Sequence, residues 1–230
     1  MKKYLVAILH ILFILSQSAN GPSGVVRNAF QIMFTGLVET VAEVVDVQSA
    51  TPGKRLVLAL GPVASGVRKG DSIAINGCCL TAIDIQGQAI AFEAGPETLF
   101  RTNLGALEKG SRVNIERSLK IGDPCGGHFV TGHIDAVGRV ESREQLGDWS
   151  TFWFSSPPSL TRQMVSKGSI AIDGVSLTLV EVTPERFSVQ LIPHTLAATT
   201  LGSRQPGDAV NLETDLLAKY VEKQLNYRHA

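Results

Sequence analysis

The sequence predicts an all-β fold of two tandem six-stranded β-barrels, produced by an internal duplication and followed by a C-terminal α-helix. Three observations carry that expectation. A nine-residue motif returns in the second half, β-branched runs recur at about ten-residue spacing, and the hydrophobic period changes in the last segment.

The repeat sets the architecture. Ile73-Ala74-Ile75-Asn76-Gly77-Cys78-Cys79-Leu80-Thr81 reappears 97 residues later as Ile170-Ala171-Ile172-Asp173-Gly174-Val175-Ser176-Leu177-Thr178, with six identities in nine. The same offset pairs Thr98 with Thr195, Leu104 with Leu201, Asn114 with Asn211 and Glu116 with Glu213. Nearer the start the offset is 96, which pairs Thr35-Gly36 with Thr131-Gly132 and Val44 with Val140. The extra residue is placed between Lys69-Gly70 and Lys167-Gly168. Two long copies indicate a duplicated domain rather than a solenoid, which needs several short units. The first copy runs from about Met33 to Ile121 within a domain at 33–127; the second spans 128–215, and 216–230 follows as a helix.

Within the first copy, 41–47, 54–60, 71–75, 79–85 and 89–94 are short runs rich in β-branched residues, separated by Gly, Pro or Asn. Gly87 marks a hairpin turn. Six or so such strands per copy favour closure into a barrel, which leaves no exposed edge. Short helices are expected at 62–68, 98–104 and 159–166. In the last segment Thr214 or Asp215 can cap a helix that places Leu217, Tyr220, Val221 and Leu225 on one face. That face suits packing on its own subunit or contact with another.

Composition narrows the function. With 44% hydrophobic and 18% charged residues the chain is an ordinary globular protein, and 21 basic against 21 acidic residues argue against nucleic acid or an acidic membrane as partner. A neutral small ligand suits that balance. Cys78, Cys79 and Cys125 are odd in number and two are adjacent, so they do not form a disulfide framework. Lys2 and Lys3 precede an apolar run over 4–15 and a small, polar stretch over 16–24, the layout of a secretory signal peptide. Residues 1–32 are therefore an export leader or upstream sequence ahead of a start at Met33. The second is preferred, because Met33 opens the first module and the cysteines fit a reducing compartment. The expected location is then cytoplasmic, or exported if the leader is real.

Period two in the strand at 73–81 places Cys79 and Thr81 on one face and Cys78 and Leu80 on the other. The matching pair in the second copy is Ser176 and Thr178. A thiol and a hydroxyl thus hold equivalent places in related scaffolds. His128 and His133 lie at the join, in Gly126-Gly127-His128-Phe129-Val130-Thr131-Gly132-His133. With Cys125 they offer only three ligands at a spacing unlike a zinc site, so no metal is expected and His133 is read as an acid, base or hydrogen-bonding group.

Taken with Met33-Phe34-Thr35-Gly36-Leu37-Val38-Glu39 and Leu191-Ile192-Pro193-His194-Thr195-Leu196, these motifs resemble the α-chain type of riboflavin synthase from about Met33 to the C-terminal helix. The resemblance implies an enzyme without cofactor or metal that catalyses the last step of riboflavin biosynthesis. Two molecules of 6,7-dimethyl-8-ribityllumazine exchange a four-carbon unit, giving riboflavin and 5-amino-6-(D-ribitylamino)uracil. It also implies a homotrimer gathered by the C-terminal helices, one lumazine in each barrel, and a reacting pair between barrels of neighbouring subunits. A non-catalytic lumazine- or flavin-binding antenna of the same fold is the alternative.

Carried over residue by residue, the resemblance assigns the first lumazine to Gly36, Leu37 and Val38 with Cys79, Leu80 and Thr81, and to Glu93, Ala94, Gly95, Pro96, Glu97 and Thr98. The second falls to Gly132, His133 and Ile134 with Ser176, Leu177 and Thr178, and to Gln190, Leu191, Ile192, Pro193, His194 and Thr195. Lys167 is similar to a lysine that reaches a neighbour's site. Cys79 is the candidate nucleophile, since a thiolate is the most available one near neutral pH. Ser176 and His133 are candidates for proton transfer, and Asp215 for a base at the interface.

Overall fold

The computed structural model describes residues 34–226, so the expectations for 1–32 lie outside the described residues. Six strands, β1 (Thr40–Ala50), β2 (Gly53–Ala59), β3 (Ser72–Ile75), β4 (Cys78–Gln86), β5 (Ala89–Ala94) and β6 (Arg112–Arg117), close an antiparallel barrel in the order β1-β2-β5-β4-β3-β6. Six more, β7 (Ala136–Leu146), β8 (Trp149–Ser155), β9 (Ser169–Ile172), β10 (Val175–Val182), β11 (Arg186–Leu191) and β12 (Ala209–Thr214), close a second in the same cyclic order. The four α-helices among the described residues are short α1 (Pro96–Arg101), α2 (Pro158–Thr161) and α3 (Pro193–Ala198), and the longer α4 (Leu216–Asn226). The expected helix at 98–104 divides into α1 and a 3-10 turn at Asn103–Ala106, while that at 62–68 is a 3-10 turn at Gly61–Ala64.

Closure has a local cause in each copy. A bulge between Val44 and Asp46, matched by one between Val140 and Ser142, bends the long first strand so that it pairs with both neighbours. The inward residues fill both barrels. Leu56, Leu58, Ile90 and Phe92 pack the first, and Phe152, Phe154 and Phe187 stack in the second with centroids 5.8 and 5.6 Å apart.

One placement differs from the sequence alignment. The Gly70 amide donates to Ala82 O and the Lys167 amide to Leu179 O, both at 2.8 Å, so Lys167 is the counterpart of Gly70 and not of Lys69. The extra residue therefore lies earlier, in the link between the second and third strands of the repeat.

The barrels meet about a pseudo-two-fold axis. Phe34 and Val130, preceding β1 and β7, exchange backbone hydrogen bonds of 3.0 and 3.1 Å. The turns at Gly77 and Gly174 touch back to back: a Cβ on either would come within 2.7 Å of the other's nitrogen. Around them Asn114 Nδ2 donates to Asp173 O and Asn211 Nδ2 to Asn76 O, both at 2.8 Å. A buried polar interface of this kind depends on partners for its groups, although Thr200 Oγ1 and Arg204 Nε are buried without one. The symmetry breaks at one point. Asp173, fully buried, accepts from Arg204 Nη2 at 2.7 Å, whereas the first copy has Asn76 and Leu107 at the equivalent positions.

Candidate functional site

On β4 the alternation expected from the sequence holds, with Cys78 and Leu80 inside the barrel and Thr81 exposed outside. Cys79 is half-buried on the outer wall, against Phe34, Ala74, Val130 and Ala171 where the barrels meet. On β10 Val175 and Leu179 face inward and Thr178 is exposed, with Ser176 the counterpart of Cys79. Side chains fill both interiors, so Cys79, Thr81, Ser176 and Thr178 are presented on the outer walls of the barrels. Leu80 faces away from a ligand on these walls, so only its backbone is available there.

The glycine segments cross over. Gly36 O accepts from Ser176 N at 2.8 Å, and Gly132 O accepts from Cys79 N at 3.0 Å. Val38 packs on the core of the second barrel and Ile134 on that of the first. The segment that leads into each barrel thus lies against the other. This corrects the expected grouping: Gly36, Leu37 and Val38 belong with Ser176 and Thr178, while Gly132, His133 and Ile134 belong with Cys79 and Thr81. The approach is close enough to demand glycine. Gly36 (φ +79°) and Gly132 (φ +81°) sit in the left-handed region, and a Cβ would lie 2.6 Å from Ser176 Cβ or 2.5 Å from Cys79 Cβ.

Strand pairing adds the remaining walls. Ala82 opposite Phe92 leaves Thr81 and Glu93 on the outer face of neighbouring strands, and Leu179 opposite Val189 does the same for Thr178 and Gln190. Ala94 and Leu191 are buried, whereas Gly95, Pro96 and Glu97, like Ile192, Pro193 and His194, are exposed where α1 and α3 begin; Thr98 and Thr195 are half-buried. His133 is exposed, and Leu177 is half-buried against the second core.

The histidine that meets Ser176 is His128, and not the expected His133. Its Nδ1 lies 2.7 Å from Ser176 Oγ. Gly127 makes this possible, since a Cβ there would lie 2.0 Å from Thr35 O and 3.0 Å from Ser176 Cβ. The available signal was the glycine pair just before the histidine. Burial pushes the His128 imidazole below its ordinary 6.5, with the Asp215 carboxylate opposing. The unfolded chain therefore takes up a proton that the folded chain refuses. Stability from this group is complete above about pH 6.5 and declines below it toward the folded pKa. A proton NMR titration is expected to place His128 below the free imidazole; a midpoint at or above 6.5 would mean that Asp215 dominates. Asp215 also caps α4, accepting from Leu217 N at 2.9 Å.

The cysteines are set apart by burial. The Cys78 thiol is pushed up to about 12 by burial and then by the neighbouring Cys79 and Glu213. Burial raises Cys79 as well, with a hydrogen bond to Ser72 lowering it and Glu213 adding to the rise. A resting thiolate at Cys79 does not follow from its surroundings; the thiol is the favoured form. Cys125 is exposed in the link between barrels. Among the described residues no three His, Cys, Asp or Glu side chains gather as a metal site requires.

Lys167 is exposed with φ +70°, a left-handed conformation that costs a side-chain-bearing residue more than glycine. Its counterpart Gly70 has φ +95°. Lys167→Gly is expected to raise the urea midpoint, a gain of about 1 kcal/mol. An unchanged or lower midpoint would show that the lysine sits there without strain.

Known proteins share both copies of the repeat. The lumazine binding domain family model matches residues 35–118 and again 131–215. The chain is 45% identical over 196 residues to riboflavin synthase of Mycobacterium bovis, covering 83% of this chain and 97% of that protein. It is 42% identical over 185 residues to riboflavin synthase of Escherichia coli, covering 80% and 87%, and 37% identical over 194 residues to that of Bacillus subtilis, covering 84% and 90%. Among solved structures, LumP complexed with 6,7-dimethyl-8-(1'-D-ribityl) lumazine aligns with TM-score 0.72 at 26% identity, over 79% of this chain and 99% of that one. LumP complexed with riboflavin aligns with TM-score 0.73 at 28% identity and the same coverage.

Proposed function

This chain belongs to the riboflavin synthase family, and we propose that it converts two molecules of 6,7-dimethyl-8-ribityllumazine to riboflavin and 5-amino-6-(D-ribitylamino)uracil, with one substrate on the outer wall of each barrel. The observation that carries the reading is the pair of matched sites with unmatched reactive groups, Cys79 under the Gly132 segment and Ser176 with His128 under the Gly36 segment. A reaction between two identical molecules needs two similar sites that treat them differently. Holding both substrates oriented removes much of the entropic barrier.

At the Ser176 site a neutral His128 accepts the Ser176 hydroxyl proton at Nδ1, which readies the oxygen to take or pass a proton from the acidic methyl of the ring. The charge of Asp215 favours the imidazolium that then forms. At the other site Cys79 adds to, or lies against, the electron-poor ring once its proton is lost, and the exposed His133 serves proton transfer there. Backbone groups of Gly36 to Val38 and Gly132 to Ile134 meet the uracil-like edge, with Thr81 and Thr178 toward the ribityl hydroxyls.

The two sites meet between subunits of a homotrimer. The exposed apolar face of α4, with Leu217, Tyr220, Val221 and Leu225 all more than half exposed, supports helix-mediated assembly. Lys167 then extends toward a neighbour's site. Among the described residues no helix is long and apolar enough to cross a membrane; the expected site of action is the cytoplasm.

The binding-only reading draws on the resemblance to LumP complexes with lumazine and riboflavin. Mixing the purified protein with the lumazine separates the two. Growth of flavin absorbance is expected, and tight binding without flavin would favour the antenna.

A further inference from the structure

We propose that Glu116 and Glu213 are positioning residues, each reaching from its own barrel to hold the glycine segment that forms the lumazine site on the other barrel. The proposal rests on the reading that these segments meet the substrate. Glu213, on β12, accepts at Oε1 from Thr131 N (2.6 Å) and Thr131 Oγ1 (2.7 Å), and at Oε2 from Gly132 N (3.0 Å). Glu116, on β6, repeats the pattern with Thr35 N (2.7 Å), Thr35 Oγ1 (2.8 Å) and Gly36 N (3.0 Å). The threonine hydroxyl oxygens then accept from the next backbone amides, Leu37 N and His133 N, both at 3.3 Å.

Both carboxylates are almost wholly buried, at 6% and 1% exposure. Each lies on the strand face opposite the barrel core, alongside the interface residues Asn114 and Asn211. The six bonds to Glu116 and Glu213 all come from N–H or O–H donors, so the arrangement calls for an acceptor on both oxygens. Glutamine, nearly the same in size, turns its amide NH2, itself a donor, toward donors and breaks one arm of each fork.

The order of contacts gives the residues their role. Glu213 fixes Gly132, and the Gly132 carbonyl meets the amide of Cys79 in the first barrel. Glu116 fixes Gly36, whose carbonyl meets the amide of Ser176 in the second. Losing either glutamate should therefore loosen the site on the opposite barrel. Electrostatics alone predicts otherwise at Cys79: the Glu213 charge opposes the thiolate, so removing it would ease ionisation there. A loss of turnover on neutralising Glu213 thus points to geometry.

The test uses Glu116→Gln and Glu213→Gln in the full chain, with Glu116→Asp and Glu213→Asp as shorter carboxylates if a glutamine variant fails to fold. Hydrogen exchange is followed without ligand. In the Glu213 variants the amides of Thr131 to His133 and Cys79 should exchange about tenfold faster, with Ser176 unchanged; in the Glu116 variants Thr35 to Leu37 and Ser176 should respond, with Cys79 unchanged. In double-mutant cycles on kcat/KM, Glu213→Gln should couple to Cys79→Ala and be additive with Ser176→Ala, and Glu116→Gln the reverse. Equal loosening of both sites, loosening confined to the glutamate's own barrel, or no change in exchange would overturn the assignment. Wild-type protein that forms no flavin would instead overturn the functional reading, while the crossed exchange pattern would still judge the anchoring.

Discussion

Gly132→Ala is expected to lower kcat/KM about a hundredfold or more while leaving the barrels folded. A methyl there would lie 2.5 Å from Cys79 Cβ and 3.0 Å from both the Cys79 amide nitrogen and the fully buried Phe34 ring, so no long flexible side chain stands on the receiving side to yield. The left-handed φ adds about 1 to 3 kcal/mol of strain. The segment must withdraw, and with it His133 and the Gly132 carbonyl that accepts from the Cys79 amide. Gly36→Ala should act likewise on the Ser176 side, where the approach is 2.6 Å. Gly87→Ala supplies the control. Its φ of +63° makes it strained too, but a Cβ there meets nothing within 4 Å, so stability should fall and turnover stand. Circular dichroism and steady-state flavin formation read the two effects. Near-normal turnover in Gly132→Ala would mean that the close crossing has no part in substrate positioning.

Asp173→Ala should be strongly destabilising, by about 3 to 5 kcal/mol, because it strands Arg204 at the interface without its partner. Asp173 also accepts from Asn211 N and Asn103 Nδ2, both at 2.8 Å, so the loss spreads through the polar seam between barrels. The first copy suggests the remedy. There Asn76 accepts from Asn114 N at 2.8 Å, and leucine stands where the second copy has Arg204. The double variant Asp173→Asn with Arg204→Leu copies that arrangement and should recover most of the loss. Urea denaturation of the single and double variants measures both. If the double variant is no more stable than Asp173→Ala, the interface does not treat the two copies as interchangeable.

Much of the fold was legible in the sequence because its determinants are local or repeated. Period two along 73–81 sorted Cys79 and Thr81 from Cys78 and Leu80, and the strands themselves lie within a few residues of expectation. Within the site, the residues of each short segment were recognisable from their motifs, but their grouping was not. Gly36 and Cys79 share a copy, and nothing in the spacing says that Gly36 serves Ser176, 140 positions away. His128 was missed for a related reason, since its proximity to Ser176 depends on a backbone crossing that Gly127 permits but does not announce.

The chain itself therefore determined that there are two like barrels, which face of each strand turns outward, and that a thiol and a hydroxyl occupy matched positions. Tertiary structure alone decided that each leading segment lies on the opposite barrel, that Glu116 and Glu213 hold it there, and that Lys167 takes the backbone place of a glycine. Alternation and repetition follow from the geometry of one strand. The crossing follows from how two barrels pack about an axis, where burial of Phe34 and Val130 and satisfaction of backbone groups between distant segments set the arrangement.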